Sequence, residues 1–164
     1  MSFLGTTPRG LVTAAPIYGG PPVLTPADET LLRRAIDIAA HAITIGDAPY
    51  GSLLADAEGN ILIEEHNTVG RDKDIASHPE LKLARWAARE LSPEAAATTT
   101  MYTSCQPCGM CTGAIERSGL GRVVYALSGD QLNGLKPGGG FAPVVQEGPS
   151  LYDESSAVVQ GYYN

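Results

Sequence analysis

A histidine, a glutamate and two cysteines are the residues of this sequence whose types and spacing are best suited to chemistry. His78 and Glu80 lie in Ser-His-Pro-Glu, and Cys108 and Cys111 lie in Pro-Cys-Gly-Met-Cys further along the chain. One imidazole and two thiolates are three of the four ligands of a tetrahedral zinc ion, so its fourth position stays open for water. The pattern therefore predicts one catalytic Zn²⁺ ion, bound by the histidine and the two cysteines, with Glu80 as the carrier of the water's proton.

Two other interpretations of these residues stay open on the sequence alone. Ser77 and Glu80 also have the spacing of a helix capping box, in which each side chain bonds the other residue's backbone amide. Cys105 precedes Cys108 by three residues, so these two form a competing pair, and all three cysteines could bind an iron–sulfur cluster that lacks its fourth ligand. Pro107 favours Cys108 as the residue that enters a helix.

The composition indicates a folded, acidic protein, and its charge favours a small neutral substrate over a polyanionic partner. Of its 164 residues, 43% are hydrophobic and 18% are charged, which is enough for a buried core. The net charge of −7 disfavours a nucleic-acid partner, because binding phosphates requires clustered Lys and Arg.

The cysteines and the N-terminus bear on location. All three cysteines fall between residues 105 and 111, which indicates metal binding in a reducing compartment and therefore a cytoplasmic protein. The N-terminus lacks the basic region and apolar run of a secretory signal, and no stretch approaches the roughly 20 apolar residues that span a bilayer. We therefore expect no membrane association.

Hydrophobic spacing and turn residues predict strands and helices around the two motifs. A helix is predicted from Thr25, its N-cap, to about Ile45, with strands at 50–55 and 61–65, a helix over 79–91, a strand over 98–104, a helix opening at Pro107 and Cys108, and a strand over 123–126. Weaker signals predict a fifth strand at 144–145 and a last helix at 155–160. The order β-β-α-β-α-β predicts an α/β fold with the sheet between helices.

The motifs resemble the cytidine-deaminase-like superfamily, in which H-x-E is followed by P-C-x-x-C. Tyr102 to Cys108 resembles bacterial guanine deaminases, and Cys108 to Ile115 resembles fungal cytosine deaminases as closely. Pro79 stands where these families more often have alanine, and a first helical turn tolerates proline. The resemblance implies a three-layer α-β-α sandwich with a five-stranded mixed sheet, and a homodimer. Residues 1–24 would be a flexible N-terminal arm, and residues 25–164 a single zinc-dependent deaminase domain.

By this resemblance the protein is a zinc-dependent aminohydrolase. It would deaminate a free nucleobase, nucleoside or related aminated heterocycle of the cytosine or guanine type and release ammonia. Deamination of adenosine in tRNA and a non-catalytic, zinc-stabilised interaction module are the alternatives. Residues 131–164 contain one basic residue, Lys136, against three acidic ones, which disfavours RNA, and Glu80 disfavours a purely structural zinc.

The resemblance also implies a substrate pocket. By the resemblance Asn67 would contact the base, and its side-chain amide offers the donor and the acceptor needed to read a base edge. Taken alone, an Asn directly after a strand is more typical of a turn residue. Gly51 and Ser52, through their backbone, and Ser104 would line the pocket. His66 is chemically able to bind a metal, but its place at a strand end favours a structural role.

The C-terminal segment would close this pocket. There, Asp153 is a candidate for holding the exocyclic amine, and Tyr162 and Tyr163 are candidates for stacking on the ring. An exposed tail explains these three residues equally well.

Overall fold

The computed structural model of this protein describes residues 24–136, 138 and 141–163. Apart from Leu24, the N-terminal arm expected over residues 1–24 lies outside the described residues. The chain divides into two compact units, one ending at Leu132 and the other beginning at Asn133. The assignment of residues 25–164 to a single domain stays a prediction.

The strands and helices follow the predicted order. The strands are β1 (Gly51–Ala55), β2 (Ile61–His66), β3 (Thr100–Cys105) and β4 (Arg122–Leu127). The helices are α1 (Pro26–Thr44), α2 (Val69–Asp72), α3 (Pro79–Glu90), α4 (Pro93–Thr98), α5 (Gly109–Ser118), α6 (Gly129–Leu135) and α7 (Tyr152–Tyr163). The sequence prediction missed α2, α4 and α6, because helices of 4, 6 and 7 residues are too short for a hydrophobic period to register.

The sheet is mixed, as predicted. Its strand order is β2-β1-β3-β4. β1 pairs antiparallel with both β2 and β3, whereas β3 and β4 are parallel. The described part of the chain contains four strands, so the predicted five-stranded sheet is wrong. Residues 144–145 lie in an irregular segment, because two apolar residues directly after Pro143 are too few to establish a ladder.

Helices cover both faces of this sheet, which confirms the predicted layering. α1 packs on one face, where its Ala35 and Ile38 join Leu53 of β1 and Tyr102 of β3 in one core cluster. α3 and α5 pack on the other face in a second cluster, whose members include Leu54, Leu83, Ala84, Ala87, Met101 and Ile115. Successive residues of β3 therefore point to different helices.

The N-terminus of α1 is capped as predicted and is also tied to the sheet. Thr25 Oγ1 accepts from the Asp28 amide at 3.1 Å, and the Asp28 carboxylate accepts from the Thr25 amide at 3.0 Å. The same carboxylate accepts from the Tyr102 hydroxyl and from the Arg122 guanidinium, both at 2.7 Å. The hydrogen bond from Arg122 holds the pKa of Asp28 well below its ordinary 3.8, and burial together with Asp28 raises the pKa of Tyr102 to about 12.

The second unit contains α7, which was predicted over 155–160 and is longer at both ends. Within it, the rings of Tyr162 and Tyr163 meet edge to face with centroids 5.0 Å apart. Among the described helices, none has the combination of length and apolar character that crossing a membrane requires.

Candidate active site

The starts of two helices carry the predicted metal ligands. His78 is the N-cap residue of α3, and Cys108 is the N-cap residue of α5. Cys111 lies in the first turn of α5, so its side chain is on the same side of the helix as that of Cys108. A helix N-terminus carries a partial positive charge, which favours the thiolate forms that bind metals.

The three ligand atoms form a triangle of the size that zinc requires. The two sulfurs lie 3.6 Å apart, and His78 Nδ1 lies 3.6 Å from the Cys111 sulfur and 3.8 Å from the Cys108 sulfur. Tetrahedral zinc, with bonds of about 2.3 Å to sulfur and about 2.0 Å to nitrogen, separates two sulfurs by about 3.8 Å and a sulfur and a nitrogen by about 3.5 Å. The two sulfurs are too far apart for a disulfide bond, which is about 2.05 Å long. The group therefore fits one zinc ion.

The surroundings of Cys111 disfavour a thiolate that has no cation beside it. Cys111 is fully buried, and burial, the Glu80 carboxylate and the Cys108 sulfur together raise the pKa of its thiol far above the ordinary value. A divalent metal ion supplies the positive charge that makes a buried thiolate stable beside a carboxylate.

Glu80 lies beside the ligand group without belonging to it. The residue is 5% exposed, and its Oε2 lies 3.8 Å from the Cys111 sulfur. Its other oxygen, Oε1, accepts a hydrogen bond of 3.0 Å from the Thr103 hydroxyl. The carboxylate thus presents one oxygen to the place where a metal ion and its water would lie.

The capping-box interpretation of Ser77 and Glu80 is wrong. Among the described residues, no side chain caps α3, and its N-cap is His78. The Ser77 hydroxyl instead donates to Asp72 and Asp74 at 3.2 and 3.3 Å. These bonds hold the loop before α3, and they leave the Glu80 carboxylate to the interior.

Cys105 is not part of the metal group. It is the last residue of β3 and is buried, and its backbone carbonyl accepts from the Thr103 hydroxyl at 3.1 Å. Within the described ranges, the group able to hold a metal consists of His78, Cys108 and Cys111. The Cys105–Cys108 pair and the iron–sulfur cluster are therefore not supported.

Asn67 lies directly after β2 and is 4% exposed. Its backbone N–H donates to the Tyr50 carbonyl at 3.0 Å, and this bond connects Asn67 to the residue before β1. Its side-chain Oδ1 accepts from the Val69 amide at 3.1 Å, and this bond fixes the orientation of the carboxamide. The interaction leaves the side-chain N–H₂ group as its donor.

The start of β1 brings the other predicted pocket residues against β3. The Gly51 amide donates to the Ser104 hydroxyl at 3.2 Å. A Cβ on Gly51 would lie 2.5 Å from the backbone nitrogen of Ala39, so only glycine lets this strand approach α1 so closely. The Ser52 hydroxyl donates to the Thr103 hydroxyl at 2.8 Å. The backbone of Gly51 is thus next to Ser104, while the Ser52 side chain points to Thr103.

Thr103 is the residue of this site that sequence reasoning missed. It is 1% exposed and contacts both Glu80 and Ser52. The alternation of β3 contains the signal, because Thr103 shares its face with Met101, which packs towards α3 and α5. The sequence does not say which face those helices cover.

His66 has the structural role that its position favours. Its Nε2 lies 3.3 Å from the Asp47 carboxylate and 2.9 Å from the Arg71 guanidinium. Lys82 of α3 donates to the His66 carbonyl at 2.7 Å. These contacts connect the end of β2, where Asn67 follows, to the helix that carries Glu80.

The three predicted C-terminal contacts lie in the second unit. Asp153, Tyr162 and Tyr163 all belong to α7. Their assignment to the substrate pocket stays a prediction.

Comparison with known proteins agrees with this geometry. Residues 25–127 match the family described as "Cytidine and deoxycytidylate deaminase zinc-binding region". A Schizosaccharomyces pombe protein named "Probable cytosine deaminase" is 33% identical over 123 residues, which are 73% of this chain and 72% of that protein. The tRNA-specific adenosine deaminase of Haemophilus influenzae is 33% identical over 101 residues, 62% of this chain and 58% of that protein.

The solved structures include a similar fold. The X-ray structure of guanine deaminase from Bacillus subtilis matches with a TM-score of 0.64 at 26% identity, and the match covers 82% of this chain and 93% of that one. This likeness confirms the predicted α/β fold class.

Proposed function

Because this chain belongs to the zinc-binding cytidine and deoxycytidylate deaminase family, we propose that it deaminates a free nucleobase, nucleoside or related aminated heterocycle of the cytosine or guanine type. Water replaces the exocyclic amine, and ammonia leaves. The observation that carries this proposal is the Glu80 carboxylate, which is buried 3.8 Å from the Cys111 sulfur and outside the ligand group.

His78, Cys108 and Cys111 would hold the zinc ion. When bound there, zinc supplies the Lewis acidity that makes water a nucleophile near neutral pH. Glu80 Oε2 then accepts the proton that the attacking water loses and delivers it to the neighbouring ring nitrogen. The same carboxylate then takes the remaining proton of the added hydroxyl and delivers it to the amine, so that the C–N bond breaks, ammonia leaves and a carbonyl remains. Low exposure keeps bulk water from competing for these protons.

Asn67 is the proposed reader of the base edge. Its side-chain oxygen is engaged by the Val69 amide, so its N–H₂ group is the donor available to a ligand. Cytosine and guanine each carry a ring carbonyl oxygen that such a donor binds well, whereas adenine carries none. Gly51 and Ser104, joined by their mutual hydrogen bond, are proposed to line the same pocket.

The second candidate is deamination of adenosine in tRNA, and the likeness to the Haemophilus influenzae protein is the observation that favours it. The net charge of −7 weighs against it, since RNA binding needs a basic surface. A free base or nucleoside therefore remains the better-supported substrate.

Ammonia release separates these candidates. The zinc-loaded protein should be assayed against cytosine, guanine, adenine, their nucleosides, amino-triazines and an adenosine-containing tRNA anticodon stem. Turnover of a free base or nucleoside that disappears in Glu80→Gln supports the proposal. Turnover of the RNA alone would establish the second candidate. Zinc binding without ammonia release from any substrate would overturn both and would return the interpretation to a non-catalytic zinc module.

We also propose a homodimer, on the resemblance of the motif segments to guanine and cytosine deaminases. Sedimentation velocity of the zinc-loaded protein should give twice the mass of one chain at micromolar concentration. A mass equal to that of one chain across this range would contradict the proposal.

A further inference from the structure

The Glu80 carboxylate needs an external constraint to keep its catalytic orientation. Rotation about the last bond of a glutamate side chain is soft, because torsions that end in a planar carboxylate have broad minima. Among the described residues, the O–H or N–H group that donates a hydrogen bond to this carboxylate is the Thr103 hydroxyl, whose oxygen lies 3.0 Å from Oε1. Together with the 3.8 Å contact between Oε2 and the Cys111 sulfur, this bond sets which oxygen faces the ligand group.

Thr103 is itself held in place by the sheet. Thr103 and Ser52 are direct partners in the antiparallel ladder between β3 and β1. The Ser52 hydroxyl, which is fully buried, donates to Thr103 Oγ1 at 2.8 Å. The Thr103 oxygen therefore already accepts a hydrogen bond, and its own proton is directed to an acceptor.

Two acceptors compete for the single proton of Thr103. They are Glu80 Oε1 at 3.0 Å and the carbonyl oxygen of Cys105 at 3.1 Å. Glu80 Oε1 is the nearer acceptor, and a hydrogen bond to a carboxylate is stronger than one to a neutral carbonyl, so Thr103 donates to Glu80. The order of donation then runs from Ser52 through Thr103 to Glu80.

We propose that Thr103, supported by Ser52, is a positioning residue for Glu80. This inference rests on the proposed deaminase function. By fixing Oε1, Thr103 keeps Oε2 beside the Cys111 sulfur of the ligand group, where the proposed function places the proton transfers to the substrate. Thr103 contacts neither the ligand atoms nor the substrate in this scheme, and acts through the carboxylate alone.

The decisive variants are Thr103→Val, which keeps the shape and removes the hydroxyl, and Thr103→Ser, which keeps the hydroxyl. Thr103→Val should lower kcat roughly 10- to 100-fold with KM nearly unchanged and with one zinc ion per chain retained, because a misplaced proton carrier slows chemistry without weakening binding. Thr103→Ser should restore most of the lost kcat. Ser52→Ala should have the same kind of effect but a smaller one.

Thr99→Val is the matched control. Thr99 is another buried threonine, 2% exposed, and its hydroxyl donates to the Ala95 carbonyl at 2.8 Å, in α4. Its loss should leave kcat unchanged. A Thr103→Val variant with wild-type kcat, or one that Thr103→Ser does not rescue, would overturn the proposal.

A crystal structure of zinc-loaded Thr103→Val gives a readout that does not depend on turnover. The Glu80 carboxylate should have rotated, with Oε2 no longer 3.8 Å from the Cys111 sulfur. An unchanged carboxylate would refute the positioning role. If the wild-type protein releases no ammonia from any substrate, the proposed function fails, while this structure still decides whether Thr103 orients Glu80.

Discussion

Asp28 and Glu80 are two buried carboxylates that accept hydrogen bonds from neighbouring residues of β3, Tyr102 and Thr103, on opposite faces of the sheet. They are 4% and 5% exposed. Asp28 accepts from Thr25, Tyr102 and Arg122, so both of its oxygens are bonded and its charge is matched. Within the described residues, Glu80 has one oxygen hydrogen-bonded to the Thr103 hydroxyl, while its other oxygen contacts the Cys111 sulfur of the ligand group at 3.8 Å.

This difference distinguishes a carboxylate with a structural role from one that is placed for proton transfer. A carboxylate whose oxygens are hydrogen-bonded to a cation and to hydroxyls stays ionised, and rotation of its side chain would break those bonds. A carboxylate with one oxygen left beside a metal group is able to take up and release a proton. The α1 face of the sheet thus carries the fully bonded carboxylate, while the α3 and α5 face carries the carboxylate beside the candidate metal group.

Removal of the metal should have the largest effect and should separate the two faces most sharply. Cys111→Ala deletes a fully buried ligand and should lower both zinc content and ammonia release to background, because the nucleophile depends on the metal. The bonds of Asp28 do not involve this group, so α1 should stay docked. Zinc content, turnover and far-ultraviolet circular dichroism measure the three consequences. Cys105→Ala is the control, and loss of zinc in that variant would contradict the assignment of ligands.

Glu80→Gln should have the next largest effect. The amide keeps the shape and the bond from Thr103 but cannot carry a proton, so kcat should fall roughly 10²- to 10⁴-fold while zinc is retained. Steady-state kinetics and metal analysis of the same preparation give both values. Glu90→Gln, at the exposed end of the same helix, is the control. Loss of zinc in Glu80→Gln would show that the carboxylate acts as a ligand.

Asp28→Asn should lower the stability of the fold and leave kcat unchanged. It removes the charge that pairs with Arg122, so the free energy of unfolding should fall by about 1 to 3 kcal/mol. Because Asp28 lies on the opposite face from Glu80, kcat should not change. Urea unfolding and steady-state kinetics measure the two effects, with the exposed Asp37→Asn on α1 as the control. A drop in kcat at unchanged zinc content would mean that the two faces are coupled.

The elements around both carboxylates were largely predictable from the sequence. Thr25 and Pro26 mark the start of α1, and the apolar spacing that follows sets its length, because caps and helical periods are local signals. The same holds for the zinc ligands, since Cys108 and Cys111 are one helical turn apart and His78 starts another helix. The spacing within such a motif predicts where its residues lie on the helices without any knowledge of tertiary contacts.

The partners of these residues were not predictable. Thr103 reaches Glu80 only because β3 pairs with β1 in one register and α3 lies on one particular face, and both facts come from long-range packing. Arg122 bonds Asp28, from which it is separated by 94 positions in the sequence, for the same reason. The prediction of a fifth strand was wrong for a different reason. Residues 144–145 have apolar side chains, but the residues beside them lack the alternating pattern that defines a strand.

Lowering the pH should have the smallest of these effects, and it concerns only the free energy of unfolding. The Arg122 bond lowers the pKa of folded Asp28 below the 3.8 of the unfolded chain. Its stabilising contribution is therefore complete above pH 3.8 and is lost as the pH falls towards the folded pKa. The gap in unfolding free energy between wild type and Asp28→Asn should stay constant from about pH 7 to 5 and narrow below 3.8. The other carboxyl groups titrate alike in both proteins and cancel in this difference. A gap that stays constant down to pH 2 would mean that Asp28 stabilises the fold by its shape and not by its charge, and the contrast with Glu80 would then rest on geometry alone.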